Sequence, residues 1–376
     1  MGILGRILAG AAVAGLAAGG VFVWGWYSHK EGLPPLNRSM TRSDATPFPE
    51  TATAQLTERL TRRLETTFLR LEGEVWEIPD NDFVNGGAMT VWGERLLVMN
   101  HAGRIHLFDE GKGLAPTGIA PPENGKAAYL EAAASEKYRN YTHRADKMRF
   151  NDIAFIDAPD LHGLALSYTF YDGARECYGT RIAWLDLPRD ADPATATAAP
   201  GDWRVVFETY PCLGLNPDHI AMNAIQAGGR ILFQPPSTLY LGSGDYGLDG
   251  IYTYDGGLQS DDSAYGKVMA VDLITGASRI VSKGHRNITG LAFDPQGRLW
   301  TVEHAERGGD ELNLIVEGEN YGWPKQSLGT LYSGQPLPTE GTYGRHDLYR
   351  PPVFAWLPSA GVSAMTAIRG IDPSWD

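Results

Sequence analysis

The residues of this chain that are best suited to chemistry lie in one segment, from Gly284 to Pro324. Arg286 and Asn287 form a polar turn near its start, and residues 303–311 form a loop with four carboxylates, one histidine and two glycines. An arginine can bind a carboxylate or a developing oxyanion through two parallel hydrogen bonds. A carboxylate-rich loop favours a hard cation bound through oxygen. Two plainer interpretations stay open: a turn whose side chains bind backbone carbonyls, and an acidic loop that is only solvated.

A repeated strand-turn-strand pattern must position these residues. Each copy is followed by a third apolar run, and the copies recur roughly every 60 to 80 residues, which is typical of propeller blades with long loops. The four copies begin at Met89, Ile153, Ile231 and Leu291. The pattern predicts an all-β propeller whose apolar residues fill the blade cores and whose loops carry the function.

The last part of the sequence does not complete a ring of blades. A fifth unit is expected to begin near Val353, and residues 364–376 have the pattern of a first strand and turn that stops early. Because an unclosed propeller leaves an exposed strand edge, we expect the chain to be an incomplete product or a fragment, truncated in the fifth blade.

The first residues have the composition of a transmembrane helix. No residue from Ile7 to Tyr27 is charged, and a helix of about 21 residues spans about 31 Å, close to the hydrocarbon thickness of a bilayer. A cleaved signal peptide is the alternative. Both interpretations predict export, either as a single-pass protein on the periplasmic side of the bacterial inner membrane or as a secreted one. In an oxidising compartment Cys177 and Cys212 are expected to pair, with two separately buried thiols as the alternative.

The chain divides into three predicted regions. Residues 1–30 are the anchor or signal segment, residues 31–72 a linker with a short helix, and residues 73–376 the propeller. Four prolines between residues 31 and 50 predict an extended linker. An apolar residue every four positions predicts an amphipathic helix that packs on the domain, and these residues are Leu56, Leu60, Leu64 and Phe68.

Charge and composition exclude several classes of function. The net charge of −13, without a run of Lys and Arg, argues against nucleic acid as a partner. The sequence has no glycine-rich dinucleotide loop, no phosphate-binding loop and no Cys/His quartet for zinc.

An ordered set of motifs resembles the family of soluble glucose dehydrogenases and aldose sugar dehydrogenases, also called the glucose/sorbosone dehydrogenase family. The resemblance covers about residues 80–370, is strongest after Gly228 and is highly specific over residues 284–324. The shared motifs are Gly284-His-Arg-Asn, Gly290-Leu-Ala-Phe-Asp-Pro, Arg307-Gly-Gly-Asp-Glu-Leu-Asn-Leu-Ile and Asn320-Tyr-Gly-Trp-Pro. Earlier matches in the same order are Gly228-Gly-Arg-Ile, Gly244-Asp and Tyr265-Gly-Lys-Val.

The resemblance implies a six-bladed β-propeller that binds pyrroloquinoline quinone (PQQ) and Ca²⁺ and oxidises the anomeric hydroxyl of an aldose to a lactone. It implies that Gln226, Arg286 and Asn287 contact the cofactor. It also implies that the backbone carbonyls of Ala305 and Glu306 hold the cofactor's calcium, although the family more often has Gly-Pro there. A second, structural calcium is implied near Asp310, Glu311 and Tyr321.

One departure from the family pattern puts catalysis in doubt. The family's proton acceptor is a histidine at the position of Ile225, and an isoleucine cannot take a proton. His219 is the nearest substitute in the sequence. The first hypothesis is therefore an aldose dehydrogenase, and the second is a propeller binding module that lost the base. A lactonase propeller is a third and more distant alternative, because Asn287 is its only obvious ligand. The sequence names neither the sugar nor the external electron acceptor.

Overall fold

The structure, a computed structural model, describes residues 59–65, 70–76, 87–109, 113–138, 145–215, 224–252 and 255–367. The part of the chain that it describes begins with an antiparallel hairpin of β1 (Arg59–Glu65) and β2 (Arg70–Trp76). The predicted amphipathic helix over residues 56–68 is therefore wrong. Residues four apart lie on one face of a helix, but they also lie on one face of a strand, whose side chains alternate with a period of two. The register pairs Leu60 with Val75 and Leu64 with Leu71, so pairing with β2 decides between the two.

Four antiparallel sheets of the propeller follow, and each is a meander of four main strands. The first blade contains β3 (Gly87–Trp92), β4 (Arg95–Asn100), β5 (Ile105–Asp109) and β6 (Gly113–Pro116). The connection to the second blade holds β7 (Gly118–Ile119) and helix α1 (Lys126–Ala134). The second blade contains β8 (Phe150–Ala158), β9 (Leu161–Asp172), β10 (Cys177–Asp186), β12 (Arg204–Glu208) and the short β13 (Leu213–Gly214), while β11 (Thr197–Ala198) pairs with β7.

The third and fourth blades repeat this order. The third contains β14 (Gly228–Gln234), β15 (Thr238–Ser243), β16 (Lys267–Asp272) and β17 (Ser278–Lys283). The fourth contains β18 (Asn287–Phe293), β19 (Leu299–His304), β20 (Asp310–Leu314) and β21 (Phe354–Trp356). The four predicted repeats are confirmed, and the all-β propeller is confirmed with four blades.

The core lies between neighbouring blades, where their sheet faces pack. Alternate residues of the strands point into each contact, as the period of two requires. Leu97 and Leu166 belong to the cluster between the first and second blades. Trp184 and Leu241 belong to the next cluster, and Ile288 lies in the cluster between the third and fourth blades. This burial fixes the inner strands β8, β14 and β18 side by side.

The segment near Val353 does not begin a fifth blade, so that expectation is wrong. β21 pairs with β20, with Phe354 opposite Leu312 and Trp356 opposite Asp310, and is the outer strand of the fourth blade. Its three residues are too few for sequence periodicity to assign them to a blade. Residues 364–367 form no strand, and residues 368–376 lie outside the described part. The implied six-blade closure stays a prediction.

Two predictions concern the cysteines and the first residues. Cys177 at the start of β10 and Cys212 just before β13 form a disulfide, with Cα atoms 5.6 Å apart, which confirms their predicted pairing. Among the described residues, no helix combines the length and apolar character needed to cross a bilayer. The predicted anchor between Ile7 and Tyr27 lies outside those residues.

Candidate functional site

The inner strands of three blades begin at one level and together form what we call the axial mouth. The Gly228 N–H donates to Asn287 Oδ1 across 3.2 Å, which joins β14 to β18. Gly229 lies against Asn151 of β8, and a Cβ added at Gly229 would meet the Asn151 Cβ at 2.5 Å. Gly229 also has φ +97°, a backbone conformation that favours glycine. The two glycines therefore let three inner strands approach closely.

Arg286 stands one residue before β18 and is 4% exposed. Its Nε and Nη2 lie 2.9 and 2.8 Å from Oε1 of Glu306, and Nη1 donates to the Ala305 carbonyl across 2.6 Å. Its Cζ lies 5.4 Å from the ring centroid of Trp323, within cation–π range. Burial by itself would lower the pKa of Arg286, but the carboxylates of Asp245 and Glu306 outweigh it and raise the pKa. The side chain is fixed and charged.

The acidic loop after β19 is not solvated, and its carboxylates do not converge on one point. All four of its carboxylates are buried, and they belong to Glu303, Glu306, Asp310 and Glu311. Asp310 accepts from Ser359 Oγ and from the Gly361 N–H, both at 2.8 Å, whereas Glu311 Oε1 lies 3.3 Å from His346 Nε2. Burial raises the pKa of Glu311 and of Glu306. Protein donors hold most of these carboxylates in place.

A buried hydrogen-bond chain fixes the backbone of the Arg286 turn. His285 is wholly buried, with Nε2 2.8 Å from Ser282 Oγ and Nδ1 2.8 Å from Glu303 Oε1. The second oxygen of Glu303 accepts from the Arg286 N–H across 2.7 Å, and Asn313 Nδ2 donates to the first oxygen across 2.8 Å. Ser, His and a carboxylate in this order resemble a nucleophile triad, but Ser282 is 1% exposed, so no substrate reaches it. These hydrogen bonds therefore position Arg286, and Ser282 and His285 take no part in the chemistry.

Asp245 lies beneath the same turn and was not singled out by sequence. Its N–H donates to the Arg286 carbonyl across 2.7 Å, and its Oδ2 accepts from Trp323 Nε1 across 2.7 Å. Burial raises the pKa of Asp245 to about 7. Gly244-Asp and Asn320-Tyr-Gly-Trp are both among the shared motifs, which was the signal available in the sequence. The sequence could not show that the two motifs contact each other.

Gln226 and Ile225 lie just before β14, beside the Arg286 turn. The Gln226 carbonyl accepts from the Tyr246 N–H across 3.3 Å, which places Gln226 next to Asp245. The side chain of Ile225 is 37% exposed and carries no titratable group. His219 lies outside the described residues, so its assignment as the base stays a prediction. The structure therefore brings Gln226, Arg286 and Asn287 together at the axial mouth.

Three of the predicted calcium ligands, Ala305, Glu311 and Tyr321, line one small cavity with Arg286. The Ala305 carbonyl accepts a hydrogen bond from Arg286, and the Tyr321 hydroxyl donates to the Leu314 carbonyl across 2.5 Å. Asp310 and Glu311 follow one another in β20, where successive side chains point to opposite faces. Within the described ranges, no group of three or more His, Cys, Asp or Glu side chains is arranged to hold a metal ion.

The enclosed space beside Arg286 is small. A cavity of about 10 Å³ lies among Arg286, Glu311, Tyr321 and Trp323, which is room for about one water molecule. A planar organic ligand is larger than this cavity.

Comparisons with known proteins agree with this architecture. The chain is 32% identical over 203 residues to the aldose sugar dehydrogenase YliI of Escherichia coli, covering 50% of this chain and 48% of that protein. It is 43% identical over 70 residues to quinoprotein glucose dehydrogenase B of Acinetobacter calcoaceticus, covering 19% of this chain and 13% of that one. The chain spans about half the length of the first curated relatives that it matches.

A solved structure shares the fold. The crystal structure of the soluble aldose sugar dehydrogenase from Escherichia coli in the apo form has a TM-score of 0.54 and 26% identity, covering 74% of each chain. A family model described as Glucose / Sorbosone dehydrogenase matches residues 166–376, which is more than half of the chain. With the blade order, the axial mouth and this match in agreement, the protein belongs to the glucose/sorbosone dehydrogenase family.

Proposed function

We propose that the protein is an aldose dehydrogenase that uses PQQ to oxidise the anomeric hydroxyl of an aldose to the lactone. Membership of the family supports the proposal. Two relatives, an aldose sugar dehydrogenase and a quinoprotein glucose dehydrogenase, support the substrate class and the cofactor class.

The observation that carries the proposal is the set of donors at the axial mouth. Arg286 and Asn287 precede and begin β18, Gln226 precedes β14, and Asn151 Nδ2 is buried without a hydrogen-bond partner among the described residues. PQQ is planar and carries carboxylates and carbonyls, all of which accept hydrogen bonds. A surplus of donors fits such a group.

When bound, the quinone supplies the acceptor for the hydride of the sugar. The chain's own residues orient the reactants. Glu306 holds Arg286 in place, and Asp245 anchors Trp323 over the guanidinium of Arg286. The chain must also take the proton of the sugar hydroxyl, and Ile225 cannot do so. We propose His219 for this role, as the sequence suggests.

The resemblance implies that the backbone carbonyls of Ala305 and Glu306 hold a calcium ion. The Ala305 carbonyl also accepts a hydrogen bond from Arg286 Nη1 at 2.6 Å. No step of the proposed reaction is assigned to the metal.

The test is a dye-linked assay of the purified chain with PQQ and a panel of aldoses, with and without Ca²⁺. Lactone formation that requires both PQQ and the sugar is the expected result. Absence of turnover by a chain that demonstrably binds PQQ would overturn the enzymatic proposal.

A second candidate function is a binding protein without catalysis. Ile225, exposed where the family has its base, favours this alternative. Calorimetric binding of PQQ or of an aldose, without dye reduction, would be its signature.

We also propose that the domain works in an oxidising compartment such as the periplasm. The disulfide between Cys177 and Cys212 supports this location, because structural disulfides are rare in reducing compartments. Detection of the oxidised form in a periplasmic fraction would test it.

A further inference from the structure

A second arginine, Arg149, stands at the axial mouth on the second blade. Strand β14 of the third blade separates it from Arg286 on the fourth blade. Arg149 precedes β8 by one residue, just as Arg286 precedes β18 by one residue. An asparagine lies two residues after Arg149 and one residue after Arg286, and each touches the glycine pair of β14: Asn151 packs on Gly229, and Asn287 accepts from Gly228. The two arginines therefore lie at one level on either side of β14.

The two arginines differ in their partners. Arg286 is paired with the Glu306 carboxylate. Arg149 donates from Nε to the neutral amide oxygen of Asn151 across 3.3 Å, and within the described part of the chain it forms no ion pair. Burial lowers the pKa of Arg149, and Arg230 adds a smaller effect in the same direction, whereas Tyr246 and the Asp146 carboxylate act in the opposite direction. A half-buried cation without a carboxylate at ion-pair distance is costly unless something else neutralises it.

The neighbouring amide adds a donor that also lacks a partner. Nδ2 of Asn151 is buried and makes no hydrogen bond within the described residues. It lies 2.8 Å from the position that a Cβ at Gly229 would take, so the glycine leaves room for it. The Asn151 amide therefore offers a buried donor without an acceptor beside the Arg149 cation.

We propose that Arg149, with Asn151, binds a carboxylate of the quinone at the axial mouth. This inference rests on the proposed function, because the ligand is the cofactor named there. Arg286 already has an internal counter-anion in Glu306, so Arg149 supplies the free positive charge that a polycarboxylate needs. The signal in the sequence was Arg149-Phe-Asn at the start of a blade's first strand, which resembles Arg286-Asn287 at the start of another.

The experiment is a calorimetric titration of the full chain with PQQ at several salt concentrations. Arg149→Gln removes the charge, and Asn151→Asp supplies Arg149 with a carboxylate of its own. We expect each variant to weaken binding about 10- to 100-fold. We also expect the affinity of Arg149→Gln to depend less steeply on salt.

Arg175→Gln is the matched control. Arg175 lies in the turn between β9 and β10 at the same end of the same blade, but it is already paired with Asp172 and Glu208. Its loss should leave PQQ affinity unchanged. Thermal unfolding of each variant shows whether the fold is retained, and Asn151→Asp decides the question if Arg149→Gln does not fold.

The outcomes separate the inference from the proposed function. Binding by the wild type that is unchanged in Arg149→Gln and Asn151→Asp overturns the role of Arg149 and leaves the proposed function standing. No binding of PQQ by the wild type overturns both. A selective loss in the two axial variants, with normal binding in Arg175→Gln, supports the inference.

Discussion

Arg286 and Glu306 form a buried ion pair in which Nε donates to Glu306 Oε1 across 2.9 Å and Nη2 lies 2.8 Å from the same oxygen. The two side chains are 5% and 0% exposed, so water screens neither charge. The pair joins the turn before β18 to the loop after β19. It makes Arg286 a fixed part of the fold as well as a donor at the axial mouth.

Removal of the Glu306 charge should destabilise the protein. In Glu306→Gln the buried guanidinium loses its counter-ion, and breaking such a pair costs about 3–5 kcal/mol. Chemical denaturation should show this loss. The control is Glu317→Gln, because Glu317 pairs with Arg279 on the surface and exposed pairs contribute about 0–1 kcal/mol. Equal losses in the two variants would contradict a special role for the buried pair.

Because of Lys267, the free energy of unfolding should change with pH in the alkaline range. Its side chain is fully buried, Nζ donates to the carbonyls of Leu258 and Tyr265, and burial lowers the pKa to about 8. The unfolded chain therefore binds more protons than the folded one between pH 8 and the ordinary lysine pKa of 10.5, so stability rises with pH across this window.

The measurement compares the wild type with Lys267→Met at several pH values. The free energy of unfolding of the wild type, relative to the variant, should increase by about 3 kcal/mol from pH 8 to pH 10.5. Other titrating groups cancel in this difference. A difference that stays flat over the window would show that the folded-state pKa is not lowered.

The disulfide should contribute substantially to stability. Cys177 and Cys212 are separated by 35 positions, and closing a loop of this length stabilises the folded state by about 3–4 kcal/mol in the chain-entropy model. The double variant Cys177→Ser and Cys212→Ser should unfold at correspondingly lower denaturant. A reducing agent should shift the wild type in the same direction and leave the variant unchanged; a shift in both would point to another cause.

A base introduced at the axial mouth should increase turnover if the proposed function holds. In Ile225→His the imidazole stands where the family has its proton acceptor, and a positioned base contributes about 10²–10⁴-fold. Activity should fall below about pH 6.5, where the imidazole becomes protonated. Ile225→Gln is the control without a base. Equal turnover by the two variants would place the proton acceptor elsewhere, with His219 as the first residue to test.

Much of the fold could be predicted from sequence because its signal is local. Four strand-turn-strand repeats gave the four blades, since alternation and turn residues act over a few positions. The helix expected over residues 56–68 failed because its four-residue spacing is also even, and β2 decided the outcome. β21, with three residues, carries too little periodicity to be assigned without its partner β20.

The sequence predicted where the site lies but not which side chains contact one another there. The motifs around Arg286 located one wall of the axial mouth, and the cysteine pair was expected. Asp245, Arg149 and Asn151 were missed, because each belongs to another blade and meets the site only after the sheets pack.

The sequence by itself therefore determined the class of fold, the family and the segment that holds Arg286 and Asn287. The tertiary structure alone decided which charges form ion pairs: Arg286 pairs with Glu306, whereas Arg149 forms no ion pair with a described carboxylate. The physical reason is that strand periodicity depends on neighbours along the chain, whereas the partner of a buried charge depends on which side chains blade packing brings within about 4 Å.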